Sequence, residues 1–353
     1  MDTRQGVIAT VLAAFKAERS IYGAYHLLKG KKSAQTIQDG SFFSILAYFG
    51  VLPTLSRAEI EKDIEVMISN QEAVCTYHDN ILLTELGQEK LKQFHLERPL
   101  LRHLKGWQYH SYTETVWQRL CLYLQALSHL QAENHSFYPI THKTHIQVWV
   151  KQHLPRAHED REQLLALLHD ELVTFLSTCQ NEQGLIFVHQ LSGKGKIGLT
   201  RKQLAEQMNI DETDLYLSHI ATLHQLFRII ENEPELYSVL SRFTEDMKKE
   251  FVLTESARQT FYMLKQGHTV QDISKRRKLK ESTIEDHIVE IALVDPHFSL
   301  APFVNKEIEQ AILTLLEGLQ TSRLRELKEK LPETVTYFMI RLVLARKKVD
   351  HGT

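Results

Sequence analysis

The sequence predicts a mainly α-helical protein that is built from small helical modules in series. Apolar residues recur at helical spacing along most of the 353-residue chain. Glycine (14) and proline (8) are scarce, which disfavours β architectures with many turns. Alternating stretches, which are typical of strands, occur at only one or two places and are short. A chain of this length is expected to form about two or three domains.

Residues 1–95 have the element order of a winged-helix domain. Two apolar-periodic helices come first, and a short apolar helix is expected over 42–49. Ser56 and Glu59 have the spacing of a capping box at the start of the next helix. Residues 73–84 then alternate on both sides of a polar turn, which predicts a hairpin wing, and a further helix follows it.

Residues 96–180 form a central helical block that carries no chemical motif. Residues 181–250 begin with a strand-like run, Leu185 to Val188. Thr200 and Asp211 then cap two helices that are joined at Asn209, which predicts a helix-turn-helix module.

Residues 251–353 repeat this pattern. Thr269 caps one helix, Leu279 leads into a second, and three more helical stretches are expected over 307–316, 322–331 and 333–346. The predicted fold class is therefore mainly α, with serial winged-helix and helix-turn-helix modules, one or two small β-hairpins and a central helical block.

Composition limits the compartment and the partners. The formal net charge is −2, so any nucleic-acid surface must be local. The cysteines, Cys75, Cys121 and Cys179, lie far apart, which disfavours disulfides and zinc sites and fits a reducing compartment. No apolar run approaches the length of a membrane span, and the apolar stretch near the N-terminus reads as a buried helix. We expect a cytoplasmic protein, with or without association with the nucleoid, and no membrane partner.

Motifs for catalysis are missing from the sequence. Gly195-Lys196 is followed by Ile197, so the phosphate cradle of a nucleotide-binding loop is incomplete, and this stretch is either a glycine turn with solvated lysines or a phosphate contact. His142 and His145 have helical ligand spacing, but no neighbouring residue completes a metal set. We therefore predict no enzyme activity, no catalytic residue, no metal and no cofactor.

The strongest signal for nucleic acid is a run of basic residues at the end of one helix and in the following turn: Lys275, Arg276, Arg277, Lys278 and Lys280. Phosphates are natural partners for such a run, although a solvated helix end is the alternative. Ser282 and Thr283, at the start of the next helix, are further candidate phosphate ligands. The carboxylates of Glu281, Glu285 and Asp286 disfavour base reading by that helix.

Two weaker basic sites accompany this run. Lys29, Lys31 and Lys32 lie in a turn ahead of Ser33, where phosphate binding and simple solvation are equally reasonable interpretations. The second site comprises basic residues close to the end of the sequence, namely Arg341, Arg346, Lys347 and Lys348.

Residues 269–288 resemble the helix-turn-helix domain at the C-terminus of some RecQ-type DNA helicases. The shared pattern has a basic stretch, a leucine and the run Ser282-Thr283-Ile284-Glu285-Asp286-His287; Ser274 departs from it, because that family often has alanine there. The resemblance covers about 253–345.

The whole chain is also similar to the YpbB-like proteins of Gram-positive bacteria, through residues 25–39 and 48–53. In that family the protein is typically encoded next to a RecQ-like helicase that lacks these C-terminal modules. The resemblance implies a split system, in which one chain is the motor and this chain carries the binding modules.

These arguments favour a non-enzymatic accessory subunit of a RecQ-type DNA helicase in DNA repair or recombination. Its partners would be the helicase and DNA, bound non-specifically or at junctions, mainly through phosphates. A winged-helix transcription regulator and a protein-only scaffold are the alternatives. The sequence does not fix the oligomeric state.

Overall fold

The computed structural model describes residues 1–134, 136–247, 253–295, 297–318 and 324–350. Within them the chain is mainly α-helical and has one two-stranded sheet, as predicted. None of the described helices is long and apolar enough to cross a membrane. The helices are α1 (Thr3–Phe15), α2 (Ile21–Lys29), α3 (Ala34–Phe42), α4 (Arg57–Ser69), α5 (Glu85–Glu97), α6 (Gly106–Tyr109), α7 (Thr113–Gln131), α8 (Thr144–His153), α9 (His158–Ser177), α10 (Asn181–Val188), α11 (Arg201–Met208), α12 (Glu212–Asn232), α13 (Arg242–Glu245), α14 (Glu255–Lys265), α15 (Val270–Arg277), α16 (Glu281–Val294), α17 (Lys306–Gly318), α18 (Leu324–Glu329) and α19 (Tyr337–Asp350), and the strands are β1 (Ala73–Cys75) and β2 (Ile81–Leu83).

The chain forms two compact units. The central unit comprises Met1–Ala9 and Glu85–Lys248, and the split unit comprises Thr10–Thr84 and Lys249–Thr353. In the split unit, α3 packs against both α16 and α19, so two segments that are distant in sequence share one unit. The division of the sequence into four consecutive modules stays a prediction.

The predicted wing is present in the split unit. β1 and β2 pair antiparallel, with Ala73 opposite Leu83 and Val74 opposite Leu82. Ala73, Ile81 and Leu83 are buried, whereas Val74 and Leu82 point outward, as the alternation of a strand requires. The predicted capping box at Ser56 and Glu59 also forms and starts α4 directly before the wing.

The core of the central unit is aromatic. Its buried rings include Trp117, Trp149, Phe175, Phe187 and Phe227, which come from α7, α8, α9, α10 and α12. Thr200 and Asp211 cap α11 and α12 as predicted, and Asn209 ends α11 with a φ of 53°.

The strand predicted at Leu185 to Val188 is wrong, because these residues form the last turns of α10. A capping box between Gln180 and Gln183 starts this helix. Ile186 and Phe187 are adjacent and both buried, a pattern that a helix permits and a half-buried strand does not.

Two other predicted helices differ from the structure. The helix expected over 42–49 is instead the end of α3 and a 3₁₀ turn, Leu46–Tyr48, separated by Ser44 with a φ of 56°. A residue in this left-handed conformation interrupts an α-helix. The stretch expected over 322–331 is seen as α18; Ser322 lies outside the described residues.

Candidate nucleic-acid interface

Three helices of the split unit, α14, α15 and α16, form the predicted helix-turn-helix. Thr269 caps α15 through the backbone N–H of Asp272, and the Asp272 carboxylate accepts from the Thr269 N–H and hydroxyl in return. Ile273, Ile284 and Ile288 are completely buried where the helices meet. The hydrogen bonds from Thr269 hold the pKa of the Asp272 carboxyl below its usual range.

The turn between α15 and α16 is tightly fixed. Lys278 adopts the left-handed conformation, with a φ of 53°, and ends α15. The Leu279 N–H donates to the Ser274 carbonyl at 3.1 Å, and the Ser274 hydroxyl donates to the Leu279 carbonyl at 2.6 Å. The direction in which the turn presents its side chains is therefore set by the fold.

The start of α16 has no side-chain cap. Its N-cap residue is Lys280, whose ammonium group donates hydrogen bonds and accepts none. By contrast, α11, α12, α14 and α15 begin at a Thr or Asp whose side chain accepts a backbone N–H. The N–H groups of Glu281 and Ser282 are thus left for solvent or an anion, and the helix dipole favours an anion there.

Four of the five cations of the predicted basic run are exposed at this one corner. Lys275 and Arg276 are exposed at the end of α15, and Lys278 and Lys280 are exposed in the turn. Ser282 is exposed on the first turn of α16, and Thr283 beside it is half-buried. We call these four cations, together with the start of α16, the basic corner.

Arg277 lies in the same run but has a different environment. Its guanidinium group is half-buried and donates to the Ser256 carbonyl at 2.8 Å, the Thr260 hydroxyl at 2.5 Å and the Gln259 side-chain oxygen at 3.1 Å. A further hydrogen bond of 2.9 Å joins it to the Ser256 hydroxyl. Its donors are used to fasten α15 to α14.

The body of α16 is surrounded by protein. Residues 287–292 are all buried, and at about 100° per residue they cover the whole circumference of the helix. The covering elements are α3, α14, α15 and α19. Asp286 forms an ion pair with Arg341, which also donates to the Gln38 side chain at 3.4 Å. Within α16 the exposed residues are Glu281 and Ser282 of the first turn.

Two buried polar residues of α16 have structural partners. The ring of His287 bonds to the Thr260 hydroxyl at 2.9 Å, and burial, with the nearby Arg277 charge, lowers its pKa to about 4. The Glu290 carboxylate accepts from the N–H and hydroxyl of Thr254. Burial raises the pKa of Glu290, which the Thr254 hydrogen bonds and Lys32 partly offset.

The predicted site at Lys29, Lys31 and Lys32 is separate from the basic corner. Lys32 lies near enough to Glu290 to lower the pKa of that carboxyl, and Glu290 lies about 15 Å along the axis of α16 from Lys280. Lys29 donates to the Tyr25 hydroxyl at 3.2 Å and to the Leu55 carbonyl at 3.3 Å. Lys31 and Lys32 remain exposed.

Of the basic candidates near the end of the sequence, the two whose side chains the structure describes bond to other parts of the fold. Arg341 is held by Asp286, and Arg346 donates to the carbonyls of Asp295 and Phe298. The side chains of Lys347 and Lys348 lie outside those described. No group of His, Cys, Asp or Glu among the described residues is arranged to hold a metal ion.

A second surface of the split unit was missed by the sequence analysis. Val74 and Leu82 lie opposite each other on the outer face of the wing and are 44% and 42% exposed. Tyr77, at the tip, is 88% exposed, and α4 adds the half-exposed Val66 and Ile68. The signal was available, because apolar residues occupy both the inward and the outward positions of the two strands.

The three-helix core and its basic corner define a helix-turn-helix protein. Residues 256–344 match the family described as "Helix-turn-helix domain". The chain is also 33% identical over 343 residues to "Protein YpbB" from Bacillus subtilis (strain 168), which covers 97% of this chain and 96% of that protein. The chain therefore belongs to the YpbB family. No solved structure matches it.

Proposed function

We propose that this protein is a DNA-binding, non-enzymatic accessory subunit of a RecQ-type DNA helicase, acting in repair or recombination. The observation that carries the DNA-binding part is the basic corner, where four exposed cations surround an uncapped helix start. A phosphate at this point would accept from the free N–H groups of α16 and neutralise the lysines. Tethering through the partner would raise the concentration of the motor at its substrate.

The geometry supports phosphate contact rather than base reading. A recognition helix in the major groove needs an exposed face along its first turns and beyond. In α16 the middle is enclosed, and the residues next to its open end include Glu281 and Asp286. This counts against the sequence-specific regulator and favours binding to DNA of any sequence or to junctions.

The wing supports the partner-binding part of the proposal. Its outer face is apolar, and in the adjoining α4 the acidic residues outnumber the basic ones, Arg57 and Lys62, so this helix adds no net positive charge to attract DNA. Contiguous exposed apolar side chains are typical of protein-binding surfaces. We assign the outer wing, defined by Val74, Tyr77 and Leu82, as the surface that docks the helicase.

The DNA-binding role is tested by reversing the basic corner with Lys275→Glu, Arg276→Glu, Lys278→Glu and Lys280→Glu in the full chain. The slope of log affinity against log salt for a DNA duplex should fall by about 0.9 for each lost phosphate contact. The matched control reverses four exposed lysines elsewhere: Lys62, Lys92, Lys202 and Lys306. An unchanged slope, or an equal loss in the control, would overturn the phosphate role.

The partner role is tested by co-purifying the chain with the RecQ-type helicase of the same cell, in the presence of nuclease and at moderate and high salt. A stable complex is expected. The wing variant Val74→Ser, Tyr77→Ser, Leu82→Ser should lose the complex while its melting temperature stays near that of the natural protein, since these side chains are exposed. Failure of the folded natural chain to bind the helicase would refute the accessory role.

A further inference from the structure

The last two turns of α7, in the central unit, anchor two separate loops. The residues that hold them are Gln125, Ser128 and His129 of α7 and Ala132, which directly follows the helix. At about 100° per residue, these four positions fall within an arc of about 100° on the helix surface. The two loops are therefore attached to the same side of α7, on adjacent turns.

The first loop displays an aromatic ring. The buried amide of Gln125 donates to the Tyr138 carbonyl at 3.1 Å and accepts from the Ile140 N–H at 3.0 Å. Phe137 stacks on the ring of His129, with ring centroids 4.5 Å apart and planes 19° apart. The backbone is thus held on both sides of Tyr138, whose side chain is 93% exposed.

The second loop is the glycine turn of residues 193–196. The Lys194 N–H donates to the Ser128 hydroxyl at 2.8 Å, and its ammonium group donates to the Ala132 carbonyl at 3.2 Å. The turn is closed by backbone bonds between Gly193 and Lys196, and Gly195 takes a φ of 78°. Lys196 projects from a fixed turn, and Ile197 after it is 90% exposed.

The charges around these loops are mainly positive. Lys143, Lys194 and Lys196 are exposed, and Glu133 at the end of α7 is the acidic residue that accompanies them in these loops. An exposed aromatic side chain on a held backbone, with cations on a second loop attached to the same side of the helix, is an arrangement that suits single-stranded nucleic acid, because a base stacks on the ring and lysines neutralise the phosphates.

We propose that the two loops at the end of α7 bind single-stranded DNA, with an unpaired base stacked on Tyr138 and the flanking phosphate at Lys196. A duplex keeps its bases stacked on one another, so the stacking contribution of Tyr138 is restricted to unpaired strands. The inference deepens the proposed function and rests on it: the basic corner of the split unit contacts duplex phosphates, and the central unit holds a single strand.

The test measures binding of the full chain to a labelled oligothymidylate and to a blunt duplex. Tyr138→Ala should weaken oligothymidylate binding by about fivefold or more, and Tyr138→Phe should retain it, since stacking does not need the hydroxyl. The separate variant Lys196→Glu should also weaken oligothymidylate binding and should make its affinity depend less on salt. Tyr337→Ala, which removes a tyrosine that is 47% exposed at the start of α19, is the matched control and should change binding by less than about twofold.

The two proposals fail in different measurements. If Tyr138→Ala binds oligothymidylate as tightly as the natural protein, the single-strand site is refuted, whatever the duplex result. If Tyr138→Ala has the expected effect and reversal of the basic corner leaves duplex binding unchanged, the single-strand site stands and the proposed duplex contact falls.

Discussion

Two neighbouring arginines of α15 test which residues of the basic run bind DNA and which stabilise the fold. Arg276 is exposed, whereas Arg277 donates four hydrogen bonds to Ser256, Gln259 and Thr260 on α14. We expect Arg277→Ala to destabilise the split unit and Arg276→Ala to weaken DNA binding. Each variant is the control for the other, because both remove one positive charge from adjacent positions.

The stability loss can be estimated from the contacts. A hydrogen bond to a charged group contributes about 1.5–3 kcal/mol when buried, but the Arg277 side chain is only half-buried and water replaces part of what is lost. We therefore expect Arg277→Ala to lower the free energy of unfolding by about 2 kcal/mol. For a unit of this size the melting temperature should fall by about 4–8 °C. Arg276→Ala should stay within about 0.5 kcal/mol of the natural protein.

Thermal unfolding and salt-dependent DNA binding, measured on the same samples, test these two roles. Arg276→Ala should reduce the salt slope by about 1, whereas Arg277→Ala should retain the slope at temperatures where it is folded. If Arg277→Ala melts normally and lowers the slope, then Arg277 is a phosphate ligand and its bonds to α14 do not hold in solution.

Three further predictions concern stability. Thr269→Ala removes the cap of α15 and should lower the free energy of unfolding by about 1 kcal/mol in urea titrations, with Thr269→Ser restoring most of it; equal losses in both variants would contradict the capping argument. Glu171 accepts the N–H groups of Val239 and Leu240, so Glu171→Ala should cost about 2–4 kcal/mol, and a loss below about 0.5 kcal/mol would show that water replaces the carboxylate. Burial lowers the pKa values of His219 and His224 to about 3, against about 6.5 in an unfolded chain. The unfolded state therefore takes up protons first on acidification, so stability is complete above about pH 6.5 and falls towards pH 3, by at most about 1.4 kcal/mol per pH unit for each histidine. Urea unfolding of the central unit at several pH values measures this slope, and a flat profile would contradict it.

Local signals in the sequence predicted local structure well. The caps at Ser56, Thr200, Asp211 and Thr269 form as expected, because each needs only residues three positions apart or fewer. The hairpin wing was predictable for the same reason. The run Leu185 to Val188 was misread, since a short apolar run has no period that separates a strand from a buried helix turn.

The candidate site was only partly predictable. A run of basic residues indicates charge, but it does not show which donors the protein itself uses. Arg277 and Lys29 bond to groups on neighbouring parts of the fold, and those contacts join residues up to 26 positions apart. The enclosure of α16 by α3 depends on residues more than two hundred positions away, which no local pattern encodes.

The composition of the split unit also affects how the protein folds during its synthesis. Residues 10–84 leave the ribosome long before residues 249–353, with which they form one unit, have been made. At typical bacterial rates of about 5–20 residues per second, the intervening stretch takes about 10–30 s to synthesise. During that interval α3 can pack against α2 but lacks α16 and α19, so each nascent chain passes through a stage in which the face of α3 that these two helices later cover is exposed to solvent.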